Sequence, residues 1–530
     1  MKRGKRGSFV ILLIFAGMVG MVFLNFSVQA AENILKIGTP NLVSSANLVF
    51  DDNLPVFAHL SNPPLTRMNT EGEIVGQTAS SFAASPDNTI WTFYLDDNLY
   101  WSDGTKVTPE DVKFTIQFMA QNVPWAGWLK SELKDVSISG TNAVVLTFNK
   151  PFTRIDRDLA SYNILPKHLW EKIGKPQDYT NTGENVGCGP FYIQKVDLDA
   201  GVIVFNRNPF WKGKAPWLDR IELHLYNNSD VLSLALEKGE VDTYYKYASS
   251  YPYPNIERLK QTGRFDFVEK LNVGLYFLGL NLQRAPLSDL HFRNAIAYAI
   301  NYEELIKLDA LGYARVPNRG FVPESMENFK ETEKLSYNVD KAKKMLDEAG
   351  YQDSTGNGLR EGGDGKDLQL MLLAEPDYAR RAELVKEYLG AVGIGVDIKT
   401  VDESTWIALK DNYDYDLTVT RTSPWGMMVY ASWGTAYFDF RRTGEGVLHI
   451  VDDPPFLAMV DGLLSTTDKD ALKKLAYAVQ DYLALNLPVI PLYWNVIVTP
   501  FSKEFTGWKP DPLFGIYNIE TFLNLQKTSR

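Results

Sequence analysis

Beyond residue 30, no apolar run in this chain is long enough to cross a bilayer, and that limits the folds open to it. Stretches such as Leu368–Leu373 and Val489–Val498 are short or interrupted and read as buried strands. A chain of 530 residues, 45% apolar and 22% charged, must therefore bury its apolar side chains in globular domains. At about 150 residues each, roughly three to four domains follow from length. The lone cysteine, Cys188, excludes an internal disulfide framework and any multi-cysteine metal site. The net charge of −11 repels phosphate backbones, so nucleic acid is not an expected partner.

The first 30 residues are of another kind. Lys2, Arg3, Lys5 and Arg6 precede an apolar run from Phe9 to Leu24, and Ser27-Val28-Gln29-Ala30 places small residues for a cut after Ala30. As a helix the run reaches about 24 Å, short of the ~30 Å hydrocarbon core, which favours a cleaved signal peptide over an anchor. No cysteine follows the site, so no lipoprotein is expected, and the mature chain is expected in the periplasm. Its net charge is then −15, since the four basic residues leave with the segment.

Strand and helix patterns alternate through the rest, with no internal repeat, as in a multi-domain α/β protein. Trp91–Leu95 and Val144–Phe148 read as strands. Thr108-Pro109-Glu110-Asp111 opens a helix, with the cap, the proline and the acids each in a favourable place. Helices over 340–349 and 382–389 are expected to stop at Gly350 and Gly390, and Gly239 to end the one holding Ala235 and Leu236. Residues 353–365 form a polar, glycine-rich turn that lacks EF-hand spacing and reads as a surface hairpin.

No nucleophile elbow, P-loop, HExxH or CxxC pattern is present, and the five histidines are scattered. Cys188 lies between glycines with no histidine near it in sequence, which suits a tight turn better than a nucleophile. No catalytic residue, resident cofactor or metal site is expected, and binding is the better default.

Several segments, taken in order, resemble the family 5 extracellular solute-binding proteins, the receptors of dipeptide, oligopeptide and nickel ABC importers. Trp101-Ser102-Asp103-Gly104 with Val107–Val112 resembles their WxDGxxVTAxDV segment, and Val186–Phe191 their VGTGPY turn, with Cys188 in place of threonine. Asn208-Pro209-Phe210-Trp211, Ala235–Asp242, Leu278–Asn281 with Pro286–Asp289, and Ile490–Tyr493 continue the series. The resemblance spans about residues 34–523. It implies a bilobal periplasmic-binding-protein-like α/β fold of three domains, closing by a hinge on a solute in the interlobe cleft. Domain I would comprise residues 31–75, 185–273 and 495–530, domain II residues 76–184, and domain III residues 274–494. The implied partners are a small-molecule ligand and an ABC importer permease, with the receptor itself a monomer.

Ligand identity falls to the stretch after the expected strand Tyr413–Leu417. Peptide receptors of the family carry an acid just after their tryptophan-glycine region, where this chain has Met427 and Met428. Arg421 resembles the arginine of nickel and metal-chelate receptors, and its planar fork suits a carboxylate. Pairing of Arg421 with Asp414 or Asp416 is the alternative. Trp425, Tyr430, Trp433 and Tyr437, with Trp125 and Trp128 in domain II, are the aromatic candidates for stacking on a ligand. A carboxylate-bearing solute such as a metal chelate or short peptide is thus the first expectation. An oligosaccharide receptor or a secreted hydrolase are the alternatives, and any metal is expected to arrive as a chelate, because a bare-ion cage needs ligands this chain does not cluster.

Overall fold

Buried β-branched and aromatic residues make Val489–Ser502 a strand of 14 residues that ties most of the fold together. The computed structural model describes residues 32–41, 43, 45–47, 49–50, 54–123, 126–180, 185–271, 274–324, 326–422, 438–441, 448 and 450–528. The first part of the long strand pairs antiparallel with Tyr276–Leu280, from Gly279 opposite Val489 to Tyr276 opposite Tyr493. Its second part pairs antiparallel with Phe265–Leu271, from Leu271 opposite Val496 to Phe265 opposite Ser502. The expected domain boundary between residues 494 and 495 falls inside this strand.

On one side of it the 12-stranded sheet continues through Tyr276–Leu280, Leu417–Arg421, Gln369–Ala374 and Gly395–Thr400. On the other it runs through Thr243–Tyr244, Ile34–Thr39, Arg220–Leu225, Val202–Arg207 and Phe191–Asp197. Gln369–Ala374 and Gly395–Thr400 are parallel, and the helix Ala379–Gly390 makes the crossover that parallel strands require. A separate four-stranded antiparallel sheet orders Ala79–Ala84, Ile90–Leu95, Ala143–Phe148 and Leu133–Ser139. Against it lies the helix Pro109–Asn122, and Val112, Ile116, Trp91, Phe93, Val144 and Leu146 share one core. That helix starts as the sequence predicts: Asp111 accepts from the Thr108 N–H at 2.8 Å and from its hydroxyl at 2.9 Å.

Two local expectations change. Gly390 does not stop its helix, which includes it, and the left-handed position falls at Gly393 instead, with φ +85°. One further turn lets Val392 and Ile394 bury themselves before the chain reverses. The strand expected over Tyr413–Leu417 begins only at Leu417 and ends on Arg421, because Tyr413 takes φ +55° and breaks the extended run.

Gly187 and Gly189 are required by close approach, not by backbone angle. A Cβ on Gly189 would lie 2.0 Å from the Leu60 carbonyl oxygen, and one on Gly187 would lie 2.4 Å from that of Ser61. Gly189→Ala is therefore expected to cost about 1–3 kcal/mol, the usual range for overpacking. A denaturant midpoint equal to that of the parent chain would show that the Leu60–Ser61 backbone yields freely. Cys188 between them is buried, and burial first, then the nearby Asp111 charge, pushes its thiol pKa well up. That agrees with a turn residue and not with a nucleophile.

Candidate functional site

Register across three neighbouring strands sets the site. Arg421 stands opposite Tyr276, and Tyr276 stands opposite Tyr493, so the three side chains form a row at one end of the sheet. A register shift between Tyr276 and Phe277 bends the middle strand there, and the Tyr276 and Tyr493 rings lie 5.1 Å apart. The first turn of the helix Ala379–Gly390 brings Arg381 over this row, 3.9 Å from the Tyr276 ring centre. It lies 5.2 Å from that of Tyr493 and 5.3 Å from that of Tyr378. Arg381 Nε donates to Asp309 Oδ2 at 2.6 Å, and the Tyr493 hydroxyl donates to the same oxygen. Arg381 is only 7% exposed, and its Nη1 is buried with no hydrogen-bond partner.

These groups border a cleft of about 460 Å³. Its far wall is the segment Tyr244–Tyr253, whose strand Thr243–Tyr244 belongs to the other half of the sheet. Glu375, Asp377 and Glu403 line the rim beside Arg421. Lys246 reaches across to Asp377 at 3.7 Å. Burial raises the Glu375 pKa to about 6, helped by repulsion from Glu403 and Asp377 and opposed by Arg421. For Arg421, burial works against the charge, but Tyr378, Tyr276 and Tyr247 more than offset it, and its pKa stands above the usual arginine value. The guanidinium is therefore permanently charged. The described residues offer no group of three or more His, Cys, Asp or Glu placed to hold a metal ion. A second cavity, near His59 and Arg67, measures only about 50 Å³, room for water but not for a solute.

Arg421 is thus at a strand end and borders the cleft. Its alternative partners are engaged elsewhere: Arg284 holds Asp416 at 3.3 Å and Asp414 at 3.6 Å. Trp128 does not join Arg421. It stacks on Phe152, 5.0 Å away, against the core of the four-stranded sheet, where the flat ring fills space between apolar neighbours. Trp125, Trp425, Tyr430, Trp433 and Tyr437 lie outside the described residues. Arg381, Asp309, Glu375 and Glu403 are not singled out by any sequence pattern. The acidic turn at 353–365 uses its own carboxylates: Glu361 accepts from the Ser354 N–H at 2.8 Å, and Asp353 from the Gly356 N–H at 2.7 Å.

Residues 73–443 match the family model described as bacterial extracellular solute-binding proteins, family 5 middle. A probable peptide-binding protein of Agrobacterium fabrum is 26% identical over 475 residues, covering 77% of this chain and 76% of that protein. The nickel-binding periplasmic protein of Escherichia coli is 23% identical over 409 residues, covering 75% of this chain and 72% of that one. The crystal structure of NikA from Brucella suis, in complex with Fe(III)-EDTA, has the same fold. Its TM-score is 0.81 at 21% identity, over 93% of this chain and 100% of that one.

Proposed function

The chain belongs to family 5 of the bacterial extracellular solute-binding proteins, and from that premise we propose that it delivers a carboxylate-bearing solute to an ABC importer permease. The cleft between Tyr244–Tyr253 and the row Arg421–Tyr276–Tyr493 is the capture site, and closure of the two halves about it encloses the solute. One observation carries this reading: Arg421 is a permanent cation on the cleft wall with no ion pair to any carboxylate among the described residues. A carboxylate arriving with the solute supplies the missing partner in two-point contact.

Short peptides and carboxylate chelates of a metal both carry such a group. The relatives named for peptide and for nickel binding lend support to each, as does the chelate bound by the Brucella suis structure. An oligosaccharide is the second reading, favoured by the tyrosines on both walls, whose faces can stack on sugar rings. The aromatic residues between 425 and 437 belong to the same proposal as further stacking surfaces. No step of this function needs a catalytic residue. The three-domain division and a monomeric receptor complete the reading.

Native mass spectrometry of the protein recovered from the periplasm tests this in one measurement. The chain mass is expected to begin at Ala31, and the folded protein to carry a retained carboxylate-bearing molecule. A mass that includes Met1, on membrane-bound protein, would support the anchor instead. Turnover of peptides or glycosides by the pure protein would replace the receptor with a hydrolase.

A further inference from the structure

The antiparallel pairs Val268–Thr499 and Lys270–Ile497 place four side chains on one face of the large sheet. They line a further cavity, of about 40 Å³, that adjoins the cleft. Tyr244, Lys246, Tyr247 and Ser249 border both spaces, so this one segment divides them. Leu513 and Phe514, from the turn after the long strand, complete the lining. The space suits a water-sized occupant and excludes an organic solute.

In a chain of net charge −11, the described lining of this cavity holds two lysines and no carboxylate. Lys246 is answered from the cleft by Asp377, at 3.7 Å. Lys270 is not answered, since its ammonium has no hydrogen bond and no ion pair among the described residues. The charge it feels belongs to Asp511, which does not line the cavity and whose carboxylate accepts from the N–H groups of Leu513 and Phe514 in its own turn. Burial pulls the Lys270 pKa down to about 8 against the attraction of Asp511, so the group still carries its proton at neutral pH. The Thr499 hydroxyl on the same face is also uncommitted among the described residues. A water molecule solvates such an ammonium but leaves its charge unbalanced. A small anion does both, and a single charge meets less repulsion from Asp511 than a double one.

We infer that Lys270 and the Thr499 hydroxyl bind one monovalent inorganic anion of the size of chloride, which supports the segment 244–249 from the side away from the cleft. The site is separate from the capture of solute and holds whichever solute the cleft takes. Its effect on the cleft passes through the four residues that border both spaces.

Crystals of the full mature protein grown in bromide at physiological ionic strength test the site directly, because bromide replaces chloride and scatters anomalously. One bromide beside the Lys270 ammonium is expected. In solution, amide exchange at Tyr245 and Ser249, whose N–H groups donate to the carbonyls of Gly38 and Lys246, reports on the dividing segment. Chloride in place of gluconate, at equal ionic strength, is expected to slow that exchange at least about threefold, and sulfate to slow it less. Lys270→Met should abolish the chloride effect. Should that variant fail to fold, Thr499→Val takes its place and should reduce the effect by removing the hydroxyl at nearly constant shape. Bromide crystals with water alone beside Lys270, equal exchange in chloride and gluconate, or a chloride effect that survives in full in the variant would each overturn the anion site.

Discussion

Replacing Arg421 by lysine is expected to weaken solute binding almost as much as replacing it by alanine, by about 1.5–3 kcal/mol, or roughly tenfold to a hundredfold. Lysine keeps the charge and loses the fork. The position of Arg421 makes the fork matter, because a strand end paired with Tyr276 fixes where its backbone starts, and Tyr378, Tyr276 and Tyr247 flank the guanidinium. A shorter-range ammonium at that point makes one contact with a carboxylate where the guanidinium makes two. Lysine is also more strongly hydrated and gives up more on entering a half-buried, tyrosine-lined wall. Titration of both variants with the molecule recovered from the native protein decides the matter. Full affinity in Arg421→Ala, with the unfolding transition intact, would return this arginine to the scaffold and leave the aromatic residues as the anchors.

Asp309→Ala is expected to have the larger effect on the fold, about 3 kcal/mol of stability, the lower end of the range for breaking a buried ion pair. Both side chains of the Arg381–Asp309 pair are 9% exposed, so the substitution strands a guanidinium and removes the acceptor of the Tyr493 hydroxyl together. The lower end applies because the pair borders the cleft and some water can reach it. Replacing both members, as in Asp309→Leu with Arg381→Met, should recover most of the loss, since neither charge is then left alone. Denaturant unfolding of Asp309→Leu, Arg381→Met and the double variant completes the cycle. A loss below about 1 kcal/mol in the single variant would mean that solvent already screens the pair.

What the sequence discloses about this molecule is mostly what neighbours in the chain decide. The cap at Thr108, the strands around Trp91 and Val144 and the stop at Gly239 each depend on a few adjacent residues, and each forms as the pattern indicates. Arg421 stands out in the sequence for a different reason, its place in a family-like segment where an acid is missing, and its contact with a solute belongs to the proposal. Arg381 was not, because nothing beside it distinguishes it from the exposed Arg380. Its role comes from Asp309, 72 residues earlier, and from Tyr276 and Tyr493 on two other strands. The two glycines flanking Cys188 show the same limit. Their turn could be read, but the reason no side chain fits is the backbone of Leu60 and Ser61, far away in the chain. Likewise, the pairing of Arg284 with Asp414 and Asp416 spans about 130 residues and freed Arg421 for the cleft.

The strand Val489–Ser502 also dictates the order in which this chain can mature. It follows every other strand of the large sheet in the chain, yet both wings hydrogen-bond to it. Until it emerges, Tyr276–Leu280 and Phe265–Leu271 each lack the neighbour that completes them, and such long-range pairing is slow to form. Neither wing can lock early. Both wings of the large sheet therefore stay incomplete until Val489–Ser502 joins them, and the sheet closes as one unit.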